Sequence, residues 1–445
     1  MDIIICGAGE VGRHAAEVLV ARDNSITIID TDRARLAQVG DTLDVRTLAG
    51  DCSQARVLLE AGAASADLVL ATTSKDDVNL ITASVAKGLG TRKAIARVHQ
   101  SDYFEGRDFN YEKHFSIDRL ICPEYSTAVA IGQTLRNPGA LAIENFARGQ
   151  IEMQQIPVSR EADALGIPLA QLRLPKGTRL AAVVRKQGAF VPAADTVVEP
   201  GDSVVLVGDP AHFPVARRMF HDDKFGRRRV VIMGGPPMAV WLCRALKNRN
   251  ISIRLFETNR QRAQELAREL DWVTVLQADP TDRTVFEDER IGDADAFVAL
   301  AHDEENILGC LLAKSAGVRQ AVAVVEQSKY LHVLKRLGID KPFSPRAVAV
   351  REIERAIDER PLTQLASLAE GEVDVYRVRI KAASEVVGLP LREVKLSPNW
   401  MLAAIQRNGA IHVPGAQDVI QVGDTLLVVG RHGKEEALRK VLDLR

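Results

Sequence analysis

The chain has 445 residues, enough for about three or four folded units. With 46% hydrophobic and 26% charged residues it can bury a core without a disulfide or metal staple. Lysine plus arginine (58) balances aspartate plus glutamate (59), and only 4% of residues are aromatic, which excludes a strongly basic nucleic-acid binder and a base-stacking platform.

The longest uninterrupted apolar runs reach six residues, as at Ala296–Ala301, far short of the roughly 20 that span a bilayer. The opening Met1-Asp2-Ile3-Ile4-Ile5-Cys6 has no basic leader segment and enters a strand at once, so a cytosolic location is expected. The cysteines (Cys6, Cys52, Cys122, Cys243, Cys310) are scattered without a CxxC pair, as expected for buried thiols in a reducing compartment.

Strand and helix alternate over the first 135 residues. The apolar run Asp2–Cys6 predicts a central parallel strand. A glycine turn follows, then a helix with Val11, Ala15, Val18 and Leu19 at helical spacing. Next come strand Ile26–Ile29 ending in Asp30, helix Arg33–Val39, strand Val45–Leu48, helix Ser53–Glu60, strand Asp67–Ala71, helix Val78–Leu89, strand Lys93–Val98 and a short strand Arg119–Cys122. This order predicts a doubly wound parallel sheet. Asn137-Pro138-Gly139 then breaks the helix. Short strands follow at Ile151–Val158, Arg179–Val184 and Ser203–Val207, with an amphipathic helix expected around Ala162–Leu172. Phe213–Arg229 reads as a connector, either a solvated linker or a docking segment for an acidic partner.

The pattern then repeats. Gly7 recurs as Gly234, Asp30 as Glu257 and Arg97 as Val324, each 227 residues on. Gly166-Ile167-Pro168-Leu169 recurs as Gly388-Leu389-Pro390-Leu391, and Gly201-Asp202 as Gly423-Asp424, each 222 residues on. The expected fold class is therefore α/β: two tandem Rossmann-like doubly wound parallel-sheet domains, each followed by a small α+β domain. The expected boundaries are 1–136, 137–212, a linker at 213–228, 229–358 and 359–445.

Gly7-Ala8-Gly9-Glu10-Val11-Gly12 is a GxGxxG turn between a predicted strand and helix, with Asp30 at the end of the next strand. Gly7 permits the tight turn, Gly9 lets backbone approach a pyrophosphate and Gly12 permits close helix–strand packing. The helix N-terminus offers unpaired N–H groups to phosphate. Asp30 can accept from both ribose hydroxyls and would repel a 2′-phosphate, favouring NAD or an adenine nucleotide over NADP. Asp51 either contacts the adenosine half or caps the helix from Ser53. Thr73 and Ser74 either face the ligand or cap the helix from Val78. Arg97 is a cation within an apolar strand and needs an anion: a phosphate, Asp51 or Asp76.

No general acid–base group, histidine pair, GxSxG or Walker A motif accompanies this turn, so a binding fold without chemistry is expected, with a dehydrogenase carrying a degenerate duplicate as the alternative. The second turn, Gly234-Gly235-Pro236-Pro237, has prolines where N–H groups would face phosphate. Glu257, and Asp279 near the position of Asp51, could still hold a ribose.

On GAGEVG at Gly7–Gly12, Asp30, the segment Ala71–Asn79, Cys122-Pro123-Glu124 and the repeated Gly-Asp turns, the whole chain resembles the TrkA family of Trk-type potassium uptake regulators, cytosolic proteins of tandem RCK (KTN plus TrkA-C) units. The resemblance implies a peripheral subunit that binds NAD or NADH and ATP or ADP, gates a potassium-translocating Trk membrane subunit, and assembles as a ring of RCK units, a homotetramer. It implies nucleotide contacts at Gly7, Ala8, Gly9, Glu10, Val11, Asp30, Thr73, Ser74 and Arg97, with Gly234, Gly235 and Glu257 in the second unit. In some relatives a glutamate at the position of Glu124 holds a divalent cation at an interface; otherwise Glu124 is a first-turn carboxylate favouring its helix N-terminus. The helices Tyr125–Leu135 and Arg346–Ile357 are expected to join lobes.

Overall fold

The computed structural model describes residues 1–442 apart from 23, 101, 104–108, 137–150, 210–211, 222–226, 248–249, 328–329, 358–359, 369–370, 398 and 408–409, and the side chains of 355 and 357. Its chain forms two compact units, neither continuous in sequence: Met1–Ile131 with Arg227–Asp358, and Gly132–Gly226 with Glu359–Arg445.

The first unit holds two parallel sheets. Strands β1 (Asp2–Cys6), β2 (Ser25–Asp30), β3 (Arg46–Ala49), β4 (Leu68–Ala71), β5 (Lys93–Arg97) and β6 (Arg119–Ile121) lie in the order β3-β2-β1-β4-β5-β6. Central β1 is apolar because helices cover both faces: Ile3, Ile4, Ile5 and Cys6 are at most 2% exposed. The order reverses between β1 and β4, which opens a crevice at the strand carboxyl ends.

In chain order the small sheets' strands are β7 (Glu152–Pro157), β8 (Thr178–Arg185), β9 (Gly188–Phe190) and β10 (Ser203–Gly208). The second parallel sheet, β11 (Arg228–Met233), β12 (Ile251–Phe256), β13 (Thr274–Leu276), β14 (Ala296–Ala299), β15 (Gln320–Val324) and β16 (Lys341–Phe343), repeats the first as β13-β12-β11-β14-β15-β16. Even the caps repeat. Asp32 accepts from the N–H groups of Ala34 and Arg35, and Asn259 from that of Arg262.

Helix Pro345–Ile357, which closes the second half, packs into the first. Val350 and Ile353 belong to the same core cluster as Ile3, Ala15, Leu19 and Ile28. Ser126 donates to Glu352 at 2.7 Å and Lys93 to the Ala356 carbonyl at 3.2 Å. The two closing helices therefore join the halves, as expected.

The named strands of the second unit pair antiparallel. Its first sheet has the order β7-β10-β8-β9. Its second, β17 (Leu362–Leu368), β18 (Val373–Arg379), β19 (Trp400–Arg407), β20 (Ala410–His412) and β21 (Thr425–Arg431), has the order β17-β18-β21-β19-β20. The sheets share a core of Met153, Ala182 and Val205 with Val375, Ala404 and Val429. Across it Arg179, whose pKa burial lowers, donates to the carbonyls of Leu402 at 2.8 Å and Pro414 at 2.5 Å. The repeated Gly-Asp turns are buried clasps. Asp202 accepts from Arg185 and the Glu199 N–H, and Asp424 from Arg407 and the Gln421 N–H.

Three expectations change. Ala162–Leu172 is a series of turns rather than a helix. Gly166 sits at φ +74°, Pro168 lacks an N–H, and Leu169 and Ala170 instead donate to the carbonyls of Thr196 and Ala194. The helix expected from Ser53 begins at Ala55, because Asp51 first closes a turn on Ser53. The first part of the expected 213–228 connector is no solvated linker: Phe213–Arg218 is helical, and Phe213, Ala216 and Phe220 are buried in the core of the first small domain. The break at Asn137–Gly139 lies outside the described residues. All five cysteines are buried and free, and burial pushes the thiols of Cys243 and Cys310 up to about 12.

Phe220→Ala is accordingly expected to destabilise the chain by about 3–5 kcal/mol through the cavity it leaves. Urea unfolding followed on the 213–220 region checks this; a change below about 1 kcal/mol, the surface value, would restore the linker.

Candidate nucleotide-binding site

The glycine turn lies where β1 delivers it, at the carboxyl end beside β4. Gly7 sits at φ +106°, a backbone state that disfavours a side chain. A Cβ on Gly12 would lie 1.9 Å from the Gly7 carbonyl oxygen, so helix Glu10–Val20 can approach only with glycine there. Gly9 differs: a Cβ would meet nothing within 4 Å, so its bare backbone is not required by the protein's own packing. Gly9 is also the N-cap and makes no side-chain cap bond, which leaves the helix's first N–H groups to an anion.

Asp30 ties this turn to β2. Its Oδ2 accepts from the Ala8 N–H at 2.6 Å and its Oδ1 from the Asp32 N–H at 2.9 Å. Glu257 repeats the tie, accepting from the N–H groups of Gly235 at 2.9 Å and Asn259 at 2.7 Å. Each carboxylate oxygen keeps a further lone pair for a ribose hydroxyl. Asp51 accepts from the Ser53 N–H and hydroxyl at 2.9 and 2.8 Å, bonds that lower its pKa. Asp279 does the same with Thr281 at 2.8 and 2.7 Å.

Thr73 donates its N–H and hydroxyl to Asn79 Oδ1 at 2.8 and 2.7 Å, and Asn79 Nδ2 donates to the carbonyls of Thr73 and Arg97. Asn79 is wholly buried and pins the ends of β4 and β5 together. Asn306 pins Ala301 and Val324 identically. Sequence reasoning passed over both as site residues; their spacing of 227, that of the glycine turns, was the available signal.

Arg97 finds neither Asp51 nor Asp76. Its Nη2 donates to Glu124 Oε1 at 2.9 Å, and its buried Nε has no hydrogen-bond partner. Glu124 is thus a salt-bridged carboxylate in the first turn of helix Pro123–Arg136. Among the described residues no set of three metal-ligating side chains includes it. Asp76 accepts from the His99 ring at 2.8 Å and from the N–H groups of His99 and Gln100. In the repeat Asp303 still accepts from the Glu326 N–H, with no histidine present, so the brace is structural.

Both turns open into one cavity of about 1340 Å³. A single small-molecule pocket usually occupies about 300–1,000 Å³, so this space exceeds one such pocket. Of the residues expected at the site, Ala8 and Gly12 sit behind the wall; the others line it, Gly234, Gly235, Glu257 and Glu124 included. The second turn is less able to hold phosphate. Its helix starts at Pro237 behind Pro236, neither with an N–H, and the Arg262 Nε donates to the Gly235 carbonyl at 2.8 Å. Thus the first turn presents an uncapped helix start beside its carboxylate, and the second a helix start blocked by proline.

A separate cluster in the other unit, Asp374, His432 and Glu435, brings three possible metal-ligand atoms within 4.8 Å. Hydrogen bonds account for it. Asp374 accepts from Gln364, Ser367 and His432, and the single Tyr376 hydroxyl proton lies between Glu435 at 2.5 Å and Asp374 at 3.1 Å. Burial pushes the Asp374 pKa up, but these bonds outweigh it and leave it lowered; the bond and charge of Asp374 raise that of His432.

The TrkA-N domain family model matches residues 3–123 and 230–345, and the TrkA-C domain model residues 153–221 and 375–443. A Trk system potassium uptake protein TrkA homolog of Archaeoglobus fulgidus is 31% identical over 442 residues, 99% of this chain and 100% of that one. The Trk system potassium uptake protein TrkA of Haemophilus influenzae is 29% identical over 438 residues, 96% of this chain and 95% of that one. Among solved structures, the GsuK channel bound to NAD superposes with TM-score 0.59 at 16% identity, covering 100% of this chain and 79% of that one. GsuK bound to ADP superposes with TM-score 0.52 at 12% identity, covering 80% of this chain and 69% of that one. At these identities the likeness is one of fold. No helix among the described residues is long and apolar enough to cross a membrane.

Gly12→Ala is expected to cost about 1–3 kcal/mol by overpacking, whereas Gly9→Ala leaves the melting temperature within about 1 °C. Paired thermal melts check this, and equal losses would overturn the assignment of Gly9 to a ligand. The raised His432 pKa makes its pairing with Asp374 stabilising below the ordinary histidine value of about 6.5 and lost as pH rises through the folded-state value. The lowered Asp374 pKa adds stability above its ordinary value, lost as pH falls through the folded one. Melting temperatures of wild type and His432→Gln should therefore differ at pH 6 and converge by about pH 9; a pH-independent gap would contradict the pairing.

Proposed function

Because the chain belongs to the TrkA family of Trk system potassium uptake proteins, we propose that it is the nucleotide-responsive regulatory subunit that gates a potassium-translocating Trk membrane subunit. It works in the cytoplasm, held to the inner face of the membrane by that partner. It is not an enzyme: the matched relatives are potassium uptake proteins. Its ligands are NAD or NADH and ATP or ADP, seated in the first half by the uncapped helix start at Gly9–Glu10 and by Asp30. In the second half Gly234, Gly235 and Glu257 provide a weaker, ribose-holding seat.

The observation that carries this reading is the common cavity. Two nucleotide turns on two halves of one unit face a single space, so a ligand touching both walls senses the geometry between them. A ligand shifts such a geometry only by its difference in affinity for two arrangements. A tenfold difference is worth about 1.4 kcal/mol, so several sites must act together for a sharp switch, which favours a homo-oligomer, a tetrameric ring. Exposed apolar residues at repeat-related positions support assembly: Ile81 (46% exposed) corresponds to Leu308 (65%).

Asp30→Ala is expected to abolish binding of NADH and ATP in titration calorimetry while the chain stays folded by circular dichroism. Wild-type affinity in that variant would remove the site from the first half.

A further inference from the structure

Arg346 stands in the second half where Glu124 stands in the first: each follows the proline that opens the closing helix (Pro123-Glu124, Pro345-Arg346). The charge is reversed. A helix start favours an acid and disfavours a cation, so this arginine does not serve its own helix. Its contacts lie across the cavity. Nη1 donates to Glu10 Oε2 of the first half at 2.8 Å, and Nη2 to Glu326 Oε2 at 3.0 Å. The guanidinium side chain is only 21% exposed, whereas Glu10 and Glu326 are 67% and 76% exposed. A seated cation thus holds two well-solvated carboxylates, a weak and exchangeable attachment.

Glu10 is the first residue of the helix whose uncapped N-terminus faces the phosphate position. The guanidinium therefore lies one side chain away from that position. The cavity wall carries nine aspartates and glutamates against five lysines and arginines, so a phosphate entering it needs each available cation. Of the other four, Arg97 is engaged by Glu124, Arg262 by the Gly235 carbonyl and Glu265, and Arg35 by Asp32, which leaves Lys75, just before helix Asp76–Leu89, beside Arg346.

We propose that Arg346 is a specificity-determining residue that reaches from the second half to the terminal phosphate of an adenine nucleotide seated in the first half, exchanging Glu10 for that phosphate. The planar guanidinium suits a terminal phosphate, which it can engage in bidentate fashion. ADP and ATP present such a group; NAD, whose diphosphate is capped by a ribose at each end, does not. The exchange replaces an ion pair between the halves with one between the second half and the ligand, so the halves report the phosphate form of the nucleotide. This inference rests on nucleotide binding in the first half.

Titration calorimetry of the full chain with ATP, ADP and NAD tests it. Arg346→Gln is expected to weaken ATP and ADP roughly tenfold or more and leave NAD within about twofold, and Arg346→Lys to recover part of the loss. Glu10→Gln, which removes the competing carboxylate, is expected to raise the ATP-to-NAD affinity ratio roughly threefold. An unchanged ATP-to-NAD affinity ratio in Arg346→Gln overturns the proposal, and should that variant not fold, an unchanged ratio in Glu10→Gln does so. Wild-type chain that binds none of the three overturns the nucleotide reading itself, a result distinct from failure in the variants alone.

Discussion

The carboxylate ending the second strand of each parallel sheet is hydrogen-bonded to the turn leaving the first strand. Asp30 holds the Ala8 N–H and Glu257 the Gly235 N–H. This bond sets the depth of the turn against the crevice and places an acid beside it. A charge-assisted bond to a backbone N–H is among the stronger hydrogen bonds available, which suits a turn that must keep its shape whether or not phosphate is present. Asn79 and Asn306 complete the frame on the other side of the crevice.

Most of this frame was legible in the residue order. Continuous apolar runs such as Asp2–Cys6 identified the buried parallel strands, and the 227-residue spacing of Gly7 and Gly234 identified the duplication. Other features depend on contacts between distant segments. The pairing of Arg97 with Glu124 joins the end of β5 to the helix after β6, whereas the strand-end positions suggested a phosphate, Asp51 or Asp76. Phe213 and Phe220 lie in a stretch rich in arginine, and only the core they fill distinguishes a docked helix from a linker. The turns at Ala162–Leu172 carry a helical spacing of apolar residues, yet Gly166 and Pro168 direct the backbone into bridges with Val197 and Val198. There local backbone restrictions outweighed periodicity.

The two halves have kept the frame and diverged at the phosphate. The acid, the asparagine pin and the Asx turn at Asp51 or Asp279 recur, whereas Gly9 and Glu10 are matched by Pro236 and Pro237, and Glu124 by Arg346. What supports the sheet edges is duplicated, whereas the helix start left open at Gly9 is closed by proline in the second half.

The helix Pro345–Ile357 fills part of the first half's core with Val350 and Ile353. The amino-terminal half synthesised by itself would therefore leave a hydrophobic trough uncovered until more than two hundred further residues had emerged. Because that helix comes from the second copy, separating the halves would bare the trough, and the first copy depends on the second for its cover.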